Sequence, residues 1–534
     1  MNNRLSNHLK NLLMPCLAFS VAAGILSAII VTAFKMATEW IVDLSSILYG
    51  EVRSKPILLP FLVLGAAAIG FAASFILSHT HGCRGGGIPS SVAAIRGIVS
   101  FKWLTSLIVL PISSLLTFLC GLPLGTEGPC VQMGTAIGDG VVKCFASKKH
   151  RGWRRYIMTG GASAGFSIAT ASPITAIIFS MEELHKHFSP LLLTVASLSV
   201  LSAQITSQLL SLFGLGTVKL FDISAISPLE VRLLFVPLLV GVVCGICSIL
   251  FTRFYHLIDK VIHSALKKIS IKVAFPILFA CASAIGFLLA DSLGTGHRLT
   301  ESLFRSHTVW YMLILVLLIR TAIMMISNTS GVTGGIFLPT ITSGAIIGAL
   351  CAEGLIALGI IEAEHYILIV ILGIASFLGA TSRIPITACV FAIEALGAVN
   401  NVLPVIITTT VALLISELSG PDDFTDTVIG SKIRSISKGK KPTVIVAPLT
   451  VKPNSFAAGK ELHDVLWPNS CVILSLDHAQ TARDKNTLEE GDTVTVRYET
   501  YDPSATLKEF NALVGEQATH IEVIMDPTRK YPSR

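Results

Sequence analysis

Four stretches of this chain, Leu12 to Phe34, Ile57 to Ser78, Leu233 to Phe251 and Val273 to Ala290, contain no charged residue. Each approaches or exceeds the ~18 apolar residues that cross the hydrocarbon of a bilayer. Inside lipid the backbone must satisfy its own hydrogen bonds, so such runs are expected as helices, and the chain reads as an all-α polytopic membrane protein. Composition agrees, with 52% of the 534 residues hydrophobic and 14% charged. The first run follows Arg4 and Lys10, is too long for the core of a signal peptide and lacks a small-residue cleavage site, so it is expected to be retained.

The formal net charge of +7 is concentrated in connectors: Lys148, Lys149, Arg151, Arg154 and Arg155, then Lys267, Lys268 and Lys272, then Lys432 to Lys441. The positive-inside rule places these connectors and both termini on the cytoplasmic side of a cell membrane. Between apolar spans such clusters mark solvated loops or headgroup contacts, and no nucleic-acid partner is expected. Eleven cysteines are scattered through mainly apolar segments, and the close pair Cys244 and Cys247 falls inside a predicted span, so they read as small core residues.

The hydrophobic part ends near Ile436, and Ser437-Lys-Gly-Lys-Lys-Pro442 reads as a basic linker. Beyond it, short β-rich runs (Thr443 to Val446, Cys471 to Leu476, Thr493 to Tyr498) and a helical stretch near Ser504 to Leu513 predict a small α+β module. Two domains follow, residues 1–436 and 443–534.

The membrane part repeats itself. Gly125-Thr-Glu-Gly-Pro129 precedes Gly134 and Gly138; Gly335-Ile-Phe-Leu-Pro339 precedes Gly344 and Gly348 at identical offsets. Pro173-Ile-Thr-Ala-Ile-Ile-Phe-Ser-Met-Glu-Glu-Leu184 likewise matches Pro385-Ile-Thr-Ala-Cys-Val-Phe-Ala-Ile-Glu-Ala-Leu396. Coincidence at two places with nearly equal spacing implies duplication, with halves of about 12–215 and 226–436, an arrangement common in transporters and often inverted in the membrane.

Glu127 is an acid at predicted membrane depth, where a charge costs ~2.5 to 3.5 kcal/mol even on the lenient insertion scale. It lies where a helix should start, and the free N–H groups of such a start attract either an anion or the carboxylate itself. The duplicate turn has Phe337 in its place, with the amides of Ile336 and Phe337 expected to face the same point. A third turn, Gly85-Gly-Gly-Ile-Pro89, could add the backbone of Gly86, Gly87 and Ile88 to an anion cradle. Any one of these turns could equally serve close helix packing. Three together, with a buried acid, shift the balance toward a binding site.

Glu182 and Glu183 end a predicted span near His185, Lys186 and His187. An ordinary cytoplasmic helix end and a proton entry point are both open readings, since a partly desolvated carboxylate exchanges protons near neutral pH. Gly161-Ala-Ser-Ala-Gly165 fits the serine-hydrolase pattern, but its small residues line a predicted membrane helix rather than a strand-to-helix elbow. With no H-E-x-x-H, P-loop or potassium-filter sequence either, no enzyme activity, metal or cofactor is expected.

The three glycine-rich turns, in this order and spacing over residues 10–435, resemble the CLC family of chloride channels and proton/chloride antiporters. The resemblance implies a homodimer in which each subunit has its own pore and many tilted helices in two inverted halves. It implies that Glu127 gates the outer anion path, that Glu183 transfers protons on the inner side, that the amides of Ile336 and Phe337 hold the central anion, and that Gly125, Gly128 and Phe424 are also among the anion-binding residues. Two hydroxyls usual in the family are missing, at Gly86 and Phe424. A charge-assisted hydrogen bond of this kind is worth ~1.5 to 3 kcal/mol, which bears on affinity and coupling. The motifs lie closer to the chloride type than to the fluoride-exporting branch, and nitrate stays open.

The C-terminal module resembles the small regulatory subdomain of RCK or TrkA-type potassium-transport regulators, through Pro453-Asn-Ser455, Gly459-Lys-Glu-Leu462 and Glu490-Gly-Asp492. That implies a cytoplasmic role in sensing an unidentified small ligand or in dimerisation, and a plain structural module is an equal alternative. The expectation for the whole chain is proton-coupled exchange of chloride, with an uncoupled voltage- or pH-gated channel and an anion-sensing receptor as alternatives.

Overall fold

The computed structural model describes residues 14–517 apart from 86, 99–101, 147, 217–219, 222, 224–225, 267–268, 306–307, 419, 421–423, 438–442, 454, 469–470, 479–485 and 501–502. Arg4, Lys10, Gly86, Lys267, Lys268 and most of the basic linker therefore lie outside the described residues.

The first half contains α1 (Met14–Ser54), α2 (Leu59–Ser78), α3 (Ile88–Ile95), α4 (Trp103–Leu119), α5 (Glu127–Phe145), α6 (Arg154–Thr170), α7 (Pro173–Phe179) and α8 (Pro190–Ser211). The second contains α9 (Phe235–Leu266), α10 (Ile271–Leu288), α11 (His297–Arg305), α12 (Trp310–Ser330), α13 (Phe337–Ala357), α14 (Tyr366–Ser382), α15 (Pro385–Glu394) and α16 (Val402–Glu417), followed by α17 (Phe424–Ser437). Among the described residues, nine helical segments are long and apolar enough to span a membrane.

The halves repeat their packing as well as their sequence. The pair α5 and α6 matches α13 and α14, and α1 against α8 matches α9 against α16. Glycines make the first of these contacts possible. A Cβ at Gly134 would stand 2.0 Å from the Gly161 carbonyl oxygen and one at Gly344 2.8 Å from that of Gly373, so backbone meets backbone. Gly161 and Gly165, the glycines of the hydrolase-like pattern, pack in this way against α5, and Ser163 Oγ bonds the Thr159 carbonyl one turn back. Even a strained turn is duplicated. Ala171 before α7 and Arg383 before α15 adopt left-handed φ of 52° and 54°, a conformation costing a side-chain-bearing residue roughly 1–2 kcal/mol.

Helices α5, α6, α13 and α14 form the buried centre, whereas α2 and α10 pack on each other at the periphery and expose Phe61, Leu64, Phe71 and Ile277. In water such a surface would be costly; against lipid tails it is matched. All eleven cysteines are free, and Cys244 is buried inside α9 as a core residue.

The C-terminal module is a three-stranded antiparallel sheet, order β1-β3-β2, of β1 (Thr443–Thr450), β2 (Val472–Asp477) and β3 (Thr493–Thr500), with α18 (Pro503–Val514). Alternate residues of β3 are buried, the period of a half-covered sheet. The module docks on the connector before α6. Phe456 packs edge-on against Trp153 at 5.3 Å, and Tyr156 lies 5.5 Å from the same ring. The Glu509 carboxylate on α18 pairs with Arg155 and, at 3.3 Å, with Arg154, and the Tyr156 hydroxyl donates to the Asp464 carbonyl.

Candidate functional site

Three helix starts, those of α3, α5 and α13, meet at one point, and glycine is the reason they can. A Cβ on Gly128 would stand 2.6 Å from Gly335 Cα and 3.0 Å from Gly87 Cα. Gly87 has φ 108°, a left-handed value that favours glycine. Gly125 and Gly335, equivalent residues of the two halves, exchange both backbone hydrogen bonds at 2.7 Å as a one-pair antiparallel bridge. The first turns of the three helices, whose amides have no carbonyl partner within their own helix, gather at this point with the positive dipole ends behind them.

Not every predicted amide is available. The Gly125 N–H is committed to the Gly335 carbonyl, and the Gly87 N–H donates to Gln132 Oε1 at 2.8 Å. These glycines contribute close approach rather than a donor. Ile88, Gly128, Ile336 and Phe337 lie at or beside the helix starts, as expected. Gln132, wholly buried on α5, also donates to the Gly82 carbonyl at 3.1 Å and so clamps the first glycine turn to the second. Sequence reasoning passed it over, although a lone amide on so glycine-rich a helix was a usable signal.

Glu127 opens α5 with 1% of its surface exposed. Oε1 accepts from Thr126 Oγ1 at 3.1 Å, and the carboxylate lies beside its own amide and that of Leu338 in the first turn of α13. It therefore sits between the two duplicated helix starts, in the field an anion would occupy. The charge of Lys35 acts on it from α1. That ammonium, a cation within a long apolar helix, also caps α6 by donating to the Ile168 and Ala169 carbonyls at 3.1 and 3.2 Å.

Phe337 is held by aromatic contacts: Phe166 edge-on at 5.0 Å, Phe391 at 5.9 Å and Phe179 at 6.5 Å. Phe179 and Phe391 are the matching phenylalanines of the repeated Pro-Ile-Thr-Ala segment, so both halves grip the ring. Phe424 opens α17, is buried, and meets Phe251 at 5.2 Å and Tyr255 at 4.7 Å. The Tyr255 hydroxyl donates to Asn328 Oδ1 at 3.0 Å.

The two neighbouring acids separate in role. The α-helix stops at Phe179 and widens into a single π turn over Ser180–His185 that carries both. Glu182 is no simple helix end: its carboxylate accepts from the Ile386 and Thr387 amides and Thr387 Oγ1 at 3.0, 2.7 and 2.7 Å, capping α15. Glu183 is buried, and its carbonyl accepts from Arg96 Nη2 at 3.2 Å. His185 Nε2 lies 2.7 Å from Thr159 Oγ1.

Comparison with known proteins agrees with this geometry. The family profile described as voltage gated chloride channel matches residues 65–417. The H(+)/Cl(-) exchange transporter ClcA of Yersinia pseudotuberculosis serotype IB (strain PB1/+) is 23% identical over 441 residues, 81% of this chain and 91% of that protein. The transporter of the same name from Klebsiella pneumoniae (strain 342) is 25% identical over 420 residues, 77% and 88% of the two chains. Among solved structures, a slow cyanobacterial Cl-/H+ antiporter superposes with a TM-score of 0.72 at 20% identity, covering 78% of this chain and 98% of that one. A CLC-type fluoride/proton antiporter gives 0.62 at 21% identity, covering 76% and 96%. With a family match across most of the membrane part, a fold of two inverted repeats shared with these structures, and the duplicated helix starts in register, the chain belongs to the voltage-gated chloride channel (CLC) family.

Proposed function

We infer that the protein exchanges chloride for protons across a membrane. The observation that carries this reading is the position of Glu127: an ionisable side chain occupies the helix-start field that would attract a chloride. Ionised, the carboxylate competes with chloride; protonated, it loses that attraction and leaves the place to the anion. One site then serves both ions. The relatives named H(+)/Cl(-) exchange transporters support chloride as the anion.

In this reading the amides of Ile88, Gly128, Ile336 and Phe337 bind chloride, with Phe424 at the inner end of the central site and Glu183 passing protons from the cytoplasmic side. The burial of Glu183 supports its part, since a buried carboxyl can carry a proton as a neutral group. The membrane domain is residues 1–436, the module at 443–534 and both termini are cytoplasmic, and the working unit is a homodimer. The position of the module against the basic connector at Arg154 and Arg155 supports that orientation.

The experiment is simultaneous measurement of chloride and proton flux from liposomes holding the purified protein at controlled membrane potential. Protons driven uphill by a chloride gradient are expected. Chloride flux without protons would replace the antiporter with a channel, a reading that the absence of a hydroxyl at Phe424 favours; no flux of either ion would leave an anion receptor.

A further inference from the structure

Residues 14–34 of α1 carry no charge, and Lys35 is the first to break that run. Its ammonium is pinned at the end of α6, where it donates to the Ile168 and Ala169 carbonyls at 3.1 and 3.2 Å. Gly165, one turn earlier on α6, packs against the first turn of α5: a Cβ there would stand 2.4 Å from the Cys130 carbonyl oxygen. The end of α6 thus lies against the start of α5, and the ammonium fixed on the one acts on Glu127 and Cys130 of the other. Among the described residues, the remaining titratable groups whose charge couples to Lys35 are Glu39, one turn along α1, and His297, at the start of α11. Glu39 is exposed, and His297 is stacked on Phe221 at 5.0 Å. Cys130 is a thiol, uncharged near neutral pH. Of these groups Glu127 is therefore the acid that lies on the binding site's side of Lys35.

We propose that Lys35 is a positioning residue for the exchange: taking Glu127 as the gate, its fixed positive charge holds that carboxylate ionised in the helix-start field and sets the pH at which the place passes to chloride. The physical reason is Coulombic. A positive charge beside a carboxyl favours the ionised form, and where water is scarce that influence reaches further than in bulk solvent. The helix starts of α5 and α13 supply only partial charges. Lys35 adds a whole one, and the two carbonyls that fix its place are themselves uncharged. In this arrangement the charge matters more than the side chain that carries it.

The test is chloride flux from liposomes holding the full-length protein, at saturating chloride and across a series of pH values. Lys35→Met and Lys35→Gln both remove the charge, the second keeping a donor for the α6 carbonyls. In both, the pH of half-maximal flux is expected to rise by about half a unit or more, because the carboxyl then takes up its proton more readily. Lys35→Arg should keep the parent value. Glu39→Gln, an exposed change that leaves the cap on α6 in place, removes an acid that offsets Lys35 and should lower it. A purely structural Lys35 would instead lower melting temperature and flux at every pH with the half-point unmoved. That result, read in Lys35→Gln alone if Lys35→Met does not fold, would overturn the proposal, as would a half-point that moves as far in Lys35→Arg as in the uncharged variants. Glu127→Gln separates this role from the gate itself. Flux independent of pH in Glu127→Gln, with an unmoved half-point in Lys35→Gln, would reject Lys35 alone; a persisting pH profile in Glu127→Gln would reject the gate and the part of Lys35 with it.

Discussion

Glu182 and Glu394 cap each other's helices. Glu182, in the π turn after α7, binds the first amides of α15, and Glu394, the last residue of α15, binds the Ile174 and Thr175 amides and Thr175 Oγ1 of α7 at 2.9, 2.7 and 2.7 Å. The two sets of distances agree to within 0.1 Å, so the duplication extends to a reciprocal exchange of charge-assisted bonds. An acid at each helix start also meets the positive end of its dipole.

Glu182→Ala and Glu394→Ala are therefore expected to cost similar amounts, about 1–2 kcal/mol each. Thermal unfolding in detergent measures this. A large cost at one position and none at the other would contradict the reciprocal arrangement.

Glu127→Gln is expected to reduce proton flux to background and to make chloride flux independent of pH, because the side chain then carries neither charge nor a transferable proton. Glu183→Gln is expected to stop protons while sparing chloride. Paired flux assays on liposomes distinguish the two, and intact coupling in both variants would remove the roles assigned.

Phe424→Tyr restores a hydroxyl at the inner end of the proposed central site. Chloride affinity is expected to rise by about tenfold, the low end of a charge-assisted hydrogen bond. Chloride titration by calorimetry reads the change directly, and unaltered affinity would mean that position 424 does not face the anion.

Lys460, in the C-terminal module, has its ammonium 5.4 Å above the Trp153 ring and 3.0 Å above Phe456. Burial lowers its pKa from 10.5 to about 7, with Asp464 pulling weakly the other way. Between those values the unfolded chain binds a proton that the folded protein does not, so this group adds stability as pH rises above about 7 and is neutral to pH changes below it. Melting temperatures of the parent minus those of Lys460→Met should climb between pH 7 and pH 10, as measured by thermal scans at several pH values.

Glu509 receives two guanidinium groups, that of the buried Arg155 and that of Arg154, which also pairs with Asp139 at 2.6 Å. Glu509→Gln is expected to loosen the docked module and to speed proteolytic cleavage within the Ser437 to Pro442 linker. Limited proteolysis followed by mass spectrometry locates the cut.

The membrane class, the duplicated halves, the three glycine turns and Glu127 were legible in the sequence because each is a local signal: hydropathy, a repeat, or an acid among apolar residues. The strands and final helix of the module were legible too, within two residues at each end, except that β1 runs four residues past the expected Val446 to Thr450. Partners were not. Glu394 stood out only as a repeat match, since nothing near it announces that its carboxylate belongs to a helix start in the other half of the chain. Gln132 and Lys35 likewise act on backbone groups distant in sequence, at Gly82 and at Ile168 and Ala169. The acids at 182 and 183 are adjacent in sequence and only the family resemblance singles out Glu183; the π turn sends Glu182 to cap α15 and leaves Glu183 buried.

The bridge between Gly125 and Gly335 also sets a timetable for biogenesis. During synthesis at 5–20 residues per second, Gly335 emerges about 210 residues after its partner, so the first half of the pore waits roughly 10–40 s without its counterpart. Throughout that interval the Gly125 amide and an acid-bearing helix start lie in a half-built membrane protein. A ribosome stalled between the halves would leave a fragment with no closed ion site, and such a fragment is a natural substrate for membrane quality control.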